Sequence, residues 1–586
     1  MKNIKYLNAF VCSLLALSFS VSISQENRYL KTEPLVEKLK DSVKPWDNSK
    51  TVVKVPLIAW GADMQTILAN GNGRTTQQGS IFQTKGLNLE LYREDVFEDQ
   101  VRAYLKGETP FLRGTLGMIN MAAEVANRSP LTKLNVIYQL SWSAGGDALV
   151  VKDNIRKPTD LKGKTVAVQA YGPHVDYLTT VLSSVGLKPS DITIKWVPDL
   201  FDVGEGSYSP AMALQSDNAV DAAMVIIPDA LALTSGGNVG TGAEQSVSGA
   251  KILLSTKTAD RIISDVYAVR QDFVDNNPGY IEKFVAGLLE GEQDLRKLSQ
   301  EKNDSWKSLV KASAGILLDD DNAVEDMGAM LSDAYLSGLQ GNIKFFQDGK
   351  YLRRFEVLNQ EIQSAFTNLS LIKTESPISG PHFEFDTIAD VGSDFEETIE
   401  ETGFDPNLVA AIISKKNQED SLEDGELYSF EIHFSPNQNS FSSDQYENEF
   451  KRVMQLVATY GGALLTIEGH SDPLGYLKFK KEGKDRDTLN KIKQTAKNLS
   501  YKRATSVKKS LMTFAGELGV ELDENQFGII GHGIMKPNTS GVAYDNTGDL
   551  ALSAAPKTKE EWELSRRVVF RLIQVEAETK TFEPIF

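Results

Sequence analysis

The chain is nearly devoid of cysteine: among 586 residues only Cys12 carries a thiol, and it sits in an apolar run close to the start. Disulfides, thiolate metal sites and cysteine nucleophiles are therefore not expected in the folded protein. Histidine is scarce as well, with five scattered residues and no spacing that makes a metal-ligand set or a nucleophile–base pair. Enzymatic activity is accordingly not expected, and no cofactor or metal is implied. Basic residues are in deficit, 62 Lys and Arg against 80 Asp and Glu, for a net charge of −18. Without cations to neutralise phosphates, nucleic acid is excluded as a partner and broad binding to anionic lipid is disfavoured. Beyond residue 24 no apolar run is long enough to span a bilayer.

What is present is ordinary globular composition, 41% hydrophobic and 24% charged, in a chain too long for one core. The start Met1-Lys2-Asn3-Ile4-Lys5 is basic, an apolar stretch follows, and Ser22-Ile23-Ser24 precedes polar Gln25-Glu26-Asn27. That order is a secretory signal with cleavage after Ser24. A membrane anchor is the competing reading, but the run is short and interrupted by serine. Cys12 lacks the small preceding residue of a lipoprotein signal, so lipidation is not expected. Residues 25–50 read as a charged surface lead-in.

From residue 51 onward, strand-like and helix-like stretches alternate. Val52-Val53-Lys54-Val55-Pro56-Leu57-Ile58-Ala59-Trp60 ends at Gly61-Ala62-Asp63. Leu87 to Leu91, Asn135 to Leu140, Thr165 to Val168, Thr193 to Val197 and Val220 to Ile227 supply further strands. The stretch from Phe111 to Gly117 reads as the entry to a helix. This rhythm predicts an α/β architecture with mostly parallel sheets. Within it, Asp160-Leu161-Lys162-Gly163-Lys164, the Gly172-Pro173-His174 turn, Val220-Asp221-Ala222-Ala223, and Ser264-Asp265-Val266-Tyr267-Ala268-Val269 followed by Asn277-Pro278 occur in order. Over roughly residues 50–300 these resemble the periplasmic solute-binding proteins of the nitrate, sulfonate, taurine and thiamine-precursor group.

The resemblance implies two α/β lobes with a solute between them, residues 260–275 returning to the first lobe, and an ABC permease in the inner membrane as partner. Candidate solute contacts at strand ends are Trp60, Asp63, Thr115, Ser141, Ser143, Gly145, Tyr171, His174 and Asp199. Helix starts after Gly114-Thr115 and Gly172-Pro173 could offer N–H groups to an oxyanion. Yet Asp63, Asp147 and Asp176 fall near these loops and few Lys or Arg do, so a zwitterion or an uncharged-headed solute fits equally well. His174 is either a ligand contact or a turn residue serving its own helix, and Trp60 reads as core packing.

Residues 277–367 are helical in pattern, with Ile281, Phe284, Val285, Leu288 and Leu289 on one face. Leu317-Leu318-Asp319-Asp320-Asp321-Asn322 lacks the spacing and central glycine of a calcium loop and reads as an acidic helix start. Residues 368–427 read as an acidic linker with local order, in which the short apolar piece Leu408-Val409-Ala410-Ala411-Ile412-Ile413 reads as a helix packing on a neighbour.

The last unit, residues 428–576, gives strands at Phe430 to Phe434, Leu464 to Gly469, Phe527 to Gly533 and Arg567 to Ile573, in the order βαβαββ. Leu464-Leu465-Thr466-Ile467-Glu468-Gly469-His470-Ser471-Asp472, Leu499-Ser500-Tyr501-Lys502-Arg503-Ala504 and Ser565-Arg566-Arg567 resemble the OmpA-like domain that binds peptidoglycan. The resemblance implies that Asp472 takes the ammonium and Arg503 the carboxylate of a diaminopimelate stem peptide. Asn437 and Ser471 would line the pocket, and Arg566 and Arg567 would support it. Ala496 and Ser565 depart from the family's asparagines, and the long segment 476–498 carries extra lysines as a solvated helical insert or a basic rim. The bland reading of Asp472 and Arg503 is a surface ion pair.

The whole is thus a signal peptide (1–24), a lead-in (25–50), a two-lobed periplasmic-binding-protein domain with C-terminal helices (51–367), a linker (368–427), an OmpA-like domain (428–576) and a tail (577–586). The function expected is the solute receptor of an ABC importer, tethered to peptidoglycan in the periplasm of a Gram-negative bacterium. A structural envelope protein whose lobes bind a protein partner is the alternative.

Overall fold

A computed structural model describes residues 28–243, 245–389, 406–423, 425–436, 446–539 and 542–574. The expected signal peptide with Cys12, the expected tail and Asn437 lie outside the described residues. The chain divides into two units: residues up to Asp348 with Arg354–Phe395, and Gly349–Arg353 with Glu396 onward. Among the described residues no helix is long and apolar enough to cross a membrane.

In the first unit, the first lobe opens with β1 (Val53–Leu57) and β2 (Leu89–Arg93), paired in parallel. Strands β3 (Phe111–Thr115) and β4 (Leu134–Ser143) follow, and every residue of β4 is buried. The chain then crosses at residues 144–146 into the second lobe: β5 (Asp147–Val151), β6 (Thr165–Gln169), β7 (Thr193–Val197), β8 (Ala222–Ile226) and β9 (Lys251–Ser255), in the order β7-β6-β8-β5-β9. It returns through β10 (Ser264–Arg270), later joined by β11 (Ala334–Leu336), to complete a sheet β11-β4-β10-β3.

The expectation of mostly parallel sheets is corrected. Neighbours in the first-lobe four-stranded sheet are all antiparallel, and in the second lobe only β6 with β7 and β6 with β8 run parallel. One of the two central strands, β4, carries the chain out of the lobe and the other, β10, brings it back, so they run in opposite directions. Phe111 to Thr115, expected to open a helix, form β3 instead, and the helix α1 (Leu116–Ala126) starts only at its end.

The helical segment behaves as its periodicity predicts. In α2 (Tyr280–Glu301) the five expected apolar positions are all buried, and Phe284 stacks on Phe82 with ring centroids 5.4 Å apart. Gly287 is required for this contact, because a Cβ there would stand 2.6 Å from the Phe82 ring.

The lead-in and linker assignments are both revised. Leu35, Leu39 and Trp46 are buried, Trp46 meeting Phe273 edge-on, while Leu30 donates its N–H to Trp196 of β7. The charged residues of this stretch face outward and its spaced apolar ones anchor it to both lobes. Likewise residues 371–388 pack on the first unit: Leu371, Phe385 and Ile388 are buried, and Ser379 bridges to Asn135 beside β4. The polar composition that suggested a linker belongs to the exposed side of this stretch.

In the second unit, α3 (Pro406–Gln418), also within the expected linker, packs Val409 and Ile413 against Leu464, Ile530 and Ile573. The order then runs β12 (Glu426–His433), α4 (Glu447–Thr459), β13 (Leu464–His470), α5 (Leu474–Lys481), α6 (Arg486–Glu517), β14 (Phe527–Gly533), α7 (Lys559–Leu564) and β15 (Arg567–Ile573). The sheet order is β12-β15-β13-β14, with β13 and β14 parallel and the other pairs antiparallel.

Helix α6 lies so close to β13 that a Cβ on Gly469 would stand 1.9 Å from the Ser500 carbonyl oxygen. Neither backbone can yield without separating helix from sheet. Gly469→Ala is expected to destabilise this unit by about 1–3 kcal/mol. Urea denaturation followed by circular dichroism checks it; an unchanged midpoint would mean that the helix floats free of the strand.

Candidate functional site

The C-terminal ends of β1, β2, β3, β6 and β8 open onto one cavity of about 680 Å³ in the first unit. That is where ligands sit in open α/β sheets, and the size suits a small organic molecule. Of the residues expected from sequence, Trp60, Thr115, Ser143, Tyr171 and Asp199 line it; Asp63, Ser141, Gly145 and His174 do not.

The four that miss the cavity stand close behind its wall. Ser141 accepts the Trp60 indole N–H at 3.0 Å and donates to Asp265 at 3.1 Å. The Arg113 guanidinium donates to Asp265 at 2.9 Å and grips both oxygens of Asp63 at 3.2 and 2.7 Å. Asp63 is thus a fully buried partner of Arg113 rather than a ligand contact. Gly145 has a backbone role: its φ is 153°, and a Cβ would stand 2.6 Å from Asp333 Oδ1. His174, fully buried, holds Asp147 through Nε2 at 2.7 Å, so neither of its expected roles describes it. Asp147 also accepts from the Ser143 hydroxyl at 2.6 Å.

Trp60 packs as expected, since its ring leaves no room for a Cβ on Gly146, yet it faces the cavity as well. Thr115 caps α1, accepting from the Met118 N–H at 3.2 Å. Tyr171 sits at φ 59°, a region a non-glycine residue occupies only under constraint. Its hydroxyl donates to the Glu33 carbonyl at 2.8 Å, which ties the lead-in to the cavity rim. Asp199 accepts from the Tyr208 N–H and the Ser207 hydroxyl through one oxygen.

Sequence reasoning missed Arg74, Arg93, Asp95, Met118, Phe201 and Asp265 among the lining residues. Asp265 lay within a quoted motif, and Arg93 ends a strand, which was the available signal. Asp319, read as part of an acidic helix start, instead follows the helix Asp304–Leu317 and pairs with Arg93 at 3.0 Å.

In the second unit the tip of β13 carries Asp472, with Arg503 of α6 and Arg566 nearby. Arg566 lies 3.5 Å from Asp472 Oδ2 and is also held by the Phe434 carbonyl at 3.1 Å. Arg503 is buried, donates to the His470 carbonyl at 3.2 Å and covers the Phe434 ring at 5.3 Å. Burial lowers its pKa to about 10, Asp472 acting upward and Arg566 downward. Asp472 is therefore no isolated surface pair. Ser471 donates to the Ala496 carbonyl at 3.2 Å, a helix-anchoring contact. Arg567, on the other side of β15, pairs with Glu431 at 2.9 Å, so Arg566 and not Arg567 is the neighbour of Asp472. The segment 476–498 is helical, and its Lys480 and Lys493 are tied to Asp545 and Asp549.

Among the described residues Glu468, His470 and His532 bring possible metal-ligand atoms within 4.8 Å of one another. Their surroundings disfavour a cation: Arg571 holds Glu468 at 2.9 Å, and the positive charges of Arg567 and Lys536 act on His470.

Residues 76–301 match the family model described as NMT1/THI5 like. The taurine-binding periplasmic protein of Escherichia coli is 29% identical over 210 residues, which cover 36% of this chain and 58% of that protein. A solved periplasmic sulfonate-binding protein from Methylobacillus flagellatus covers 60% of this chain and 95% of its own, at 18% identity and TM-score 0.41. The periplasmic aliphatic sulphonate binding protein of Escherichia coli covers 56% and 90%, at 16% identity and TM-score 0.38. Both TM-scores are low, and no weight rests on either structural likeness.

The family-model match covers most of the stretch that forms the cavity, including buried Asp176 near the start of the helix α8 (His174–Ser184). Burial, reinforced by repulsion from Asp147 and Asp265, pushes the Asp176 carboxyl up to about 8. The N–H groups of Asp176 and Tyr177 act the other way, but neither closes a well-formed hydrogen bond. A carboxyl with a raised folded-state pKa stabilises the fold while protonated, below its unfolded value, and that stability is lost as pH rises through about 8. Asp176→Asn fixes the neutral form. The variant's melting temperature should exceed that of the parent by more at about pH 9 than at about pH 5. A difference independent of pH would contradict the assignment.

Proposed function

We propose that the protein is the periplasmic solute-binding component of an ABC-type importer, held to peptidoglycan by its second unit. The observation that carries the first part is the cavity onto which strand ends from both lobes converge, largely in the stretch that matches the NMT1/THI5-like model. Two crossing segments, residues 144–146 and 256–263, join the lobes beside that cavity. Such connections let lobes close on a solute by small backbone rotations. The similarity to a taurine-binding protein supports a small solute, delivered to a permease in the inner membrane.

Anchoring is carried by Asp472 beside Arg503 and Arg566, one anion and two cations at the tip of a strand. A diaminopimelate end presents an ammonium and a carboxylate, and a guanidinium binds the latter bidentately. The sheet order β12-β15-β13-β14 supports the OmpA-like resemblance, although the short helix α7 stands between the last two strands, where the expected order βαβαββ has none. Retention at the wall would raise the local concentration of the receptor near its permease.

Mass spectrometry of protein purified under native conditions should find a small molecule in the first unit, and adding it back should raise the melting temperature. A broad metabolite screen without any shift would favour lobes that bind a protein partner instead.

Peptidoglycan pull-down of the full chain should fail for Asp472→Ala and weaken for Arg503→Lys, with a loss of about 2–5 kcal/mol for the former. Retention unchanged in both variants would remove the anchor.

A further inference from the structure

We propose that the solute of the first-unit cavity carries a positively charged nitrogen, an ammonium or amidinium, which it presents to Asp147 and Asp265. The proposal rests on the solute-binding reading and adds the ligand's chemical class.

The floor of the cavity holds more negative than positive charge. Asp147 and Asp265 both line it and are nearly fully buried, while Asp63 and Asp176 are buried just behind. Arg113 is the one guanidinium bonded to this group, and Asp63 and Asp265 share it. Asp147 is held by a serine hydroxyl and by His174 Nε2. The Asp176 carboxyl, raised in part by Asp147 and Asp265, reports the same negative field.

An anion would find little to bind. The two arginines among the lining residues are turned onto acids: Arg93 donates to Asp95 and Asp319, and Arg74 lies 3.7 Å from Asp319. Of the two helix starts that could offer N–H groups, the one that opens α1 is obstructed, while the one after Gly172-Pro173 remains on the lining. A Cβ on Gly117, in the first turn of α1, would stand 2.8 Å from the Asp176 carboxyl carbon, so a carboxyl of the protein already occupies that position. A cation gains Coulombic attraction from the nearly buried Asp147 and Asp265, and the aromatic rings of Trp60 and Phe201 on the lining can add cation–π attraction.

The test uses the full mature chain and five probes: putrescine, agmatine, taurine, isethionate and ethanesulfonate. Thermal shift and isothermal calorimetry should find binding only among the three amine-bearing compounds. Asp147→Asn should weaken the best of them roughly thirtyfold or more. Binding of isethionate or ethanesulfonate as tight as that of any amine overturns the proposal and leaves the solute-binding reading intact. So does a co-purified solute without a cationic nitrogen. If none of the probes binds and native mass spectrometry finds the cavity empty, the solute-binding reading falls and takes the proposal with it. The panel is decided on the parent protein, so it stands even where Asp147→Asn does not fold.

Discussion

The guanidinium of Arg113 is the constraint on which the first unit depends. It is fully buried, as is Asp63, and its contacts tie three separate parts of the chain: the turn after β1, β3 itself, and the returning strand β10. The attraction of the two carboxylates holds Arg113 charged against the cost of burial, while burial raises both carboxyls. Taking away the cation would leave two carboxylates in a low dielectric, a loss of about 3–5 kcal/mol for a broken buried pair. The same network sets the site: Asp265 receives Ser141, Ser141 receives the Trp60 indole, and the cavity wall is thereby fixed.

The second unit is organised by proximity rather than by charge. Gly469 and Gly531 let the 32-residue helix α6 lie against β13 and β14 at distances no side chain would permit. That approach buries Arg503 and brings it to the strand tip that carries Asp472. The supporting arginine is then chosen by the two-residue alternation of β15, which turns Arg566 toward Asp472 and Arg567 toward Glu431.

Much of the fold was legible because local pattern dictates it. The spacing of Ile281, Phe284, Val285, Leu288 and Leu289 marked the buried face of α2, and alternating strand-like and helix-like stretches marked an α/β architecture, whose division into two lobes came from the family resemblance. Two stretches, 25–50 and the part of 368–427 before the helix Pro406–Gln418, were misread for one reason. They are polar overall, but a few apolar residues such as Leu35, Trp46 and Phe385 decide burial, and composition averages them away. Strand direction was also out of reach, since β4 and β10 look alike in sequence whichever way they pair.

The sequence by itself determined what chemistry the protein could hold. One cysteine, few histidines and a surplus of acids left binding as the expected work, and strand ends marked where it would occur. The tertiary structure alone decided which residues meet. Arg113 and Asp265 are 152 positions apart, and His174 reaches Asp147 from another element, so no local pattern could pair them. Burial then changed their meaning. Asp63 and His174, which read as ligand contacts at loop tips, became the buried supports of Asp265 and Asp147, because a buried polar group must be satisfied from within before it can serve a ligand.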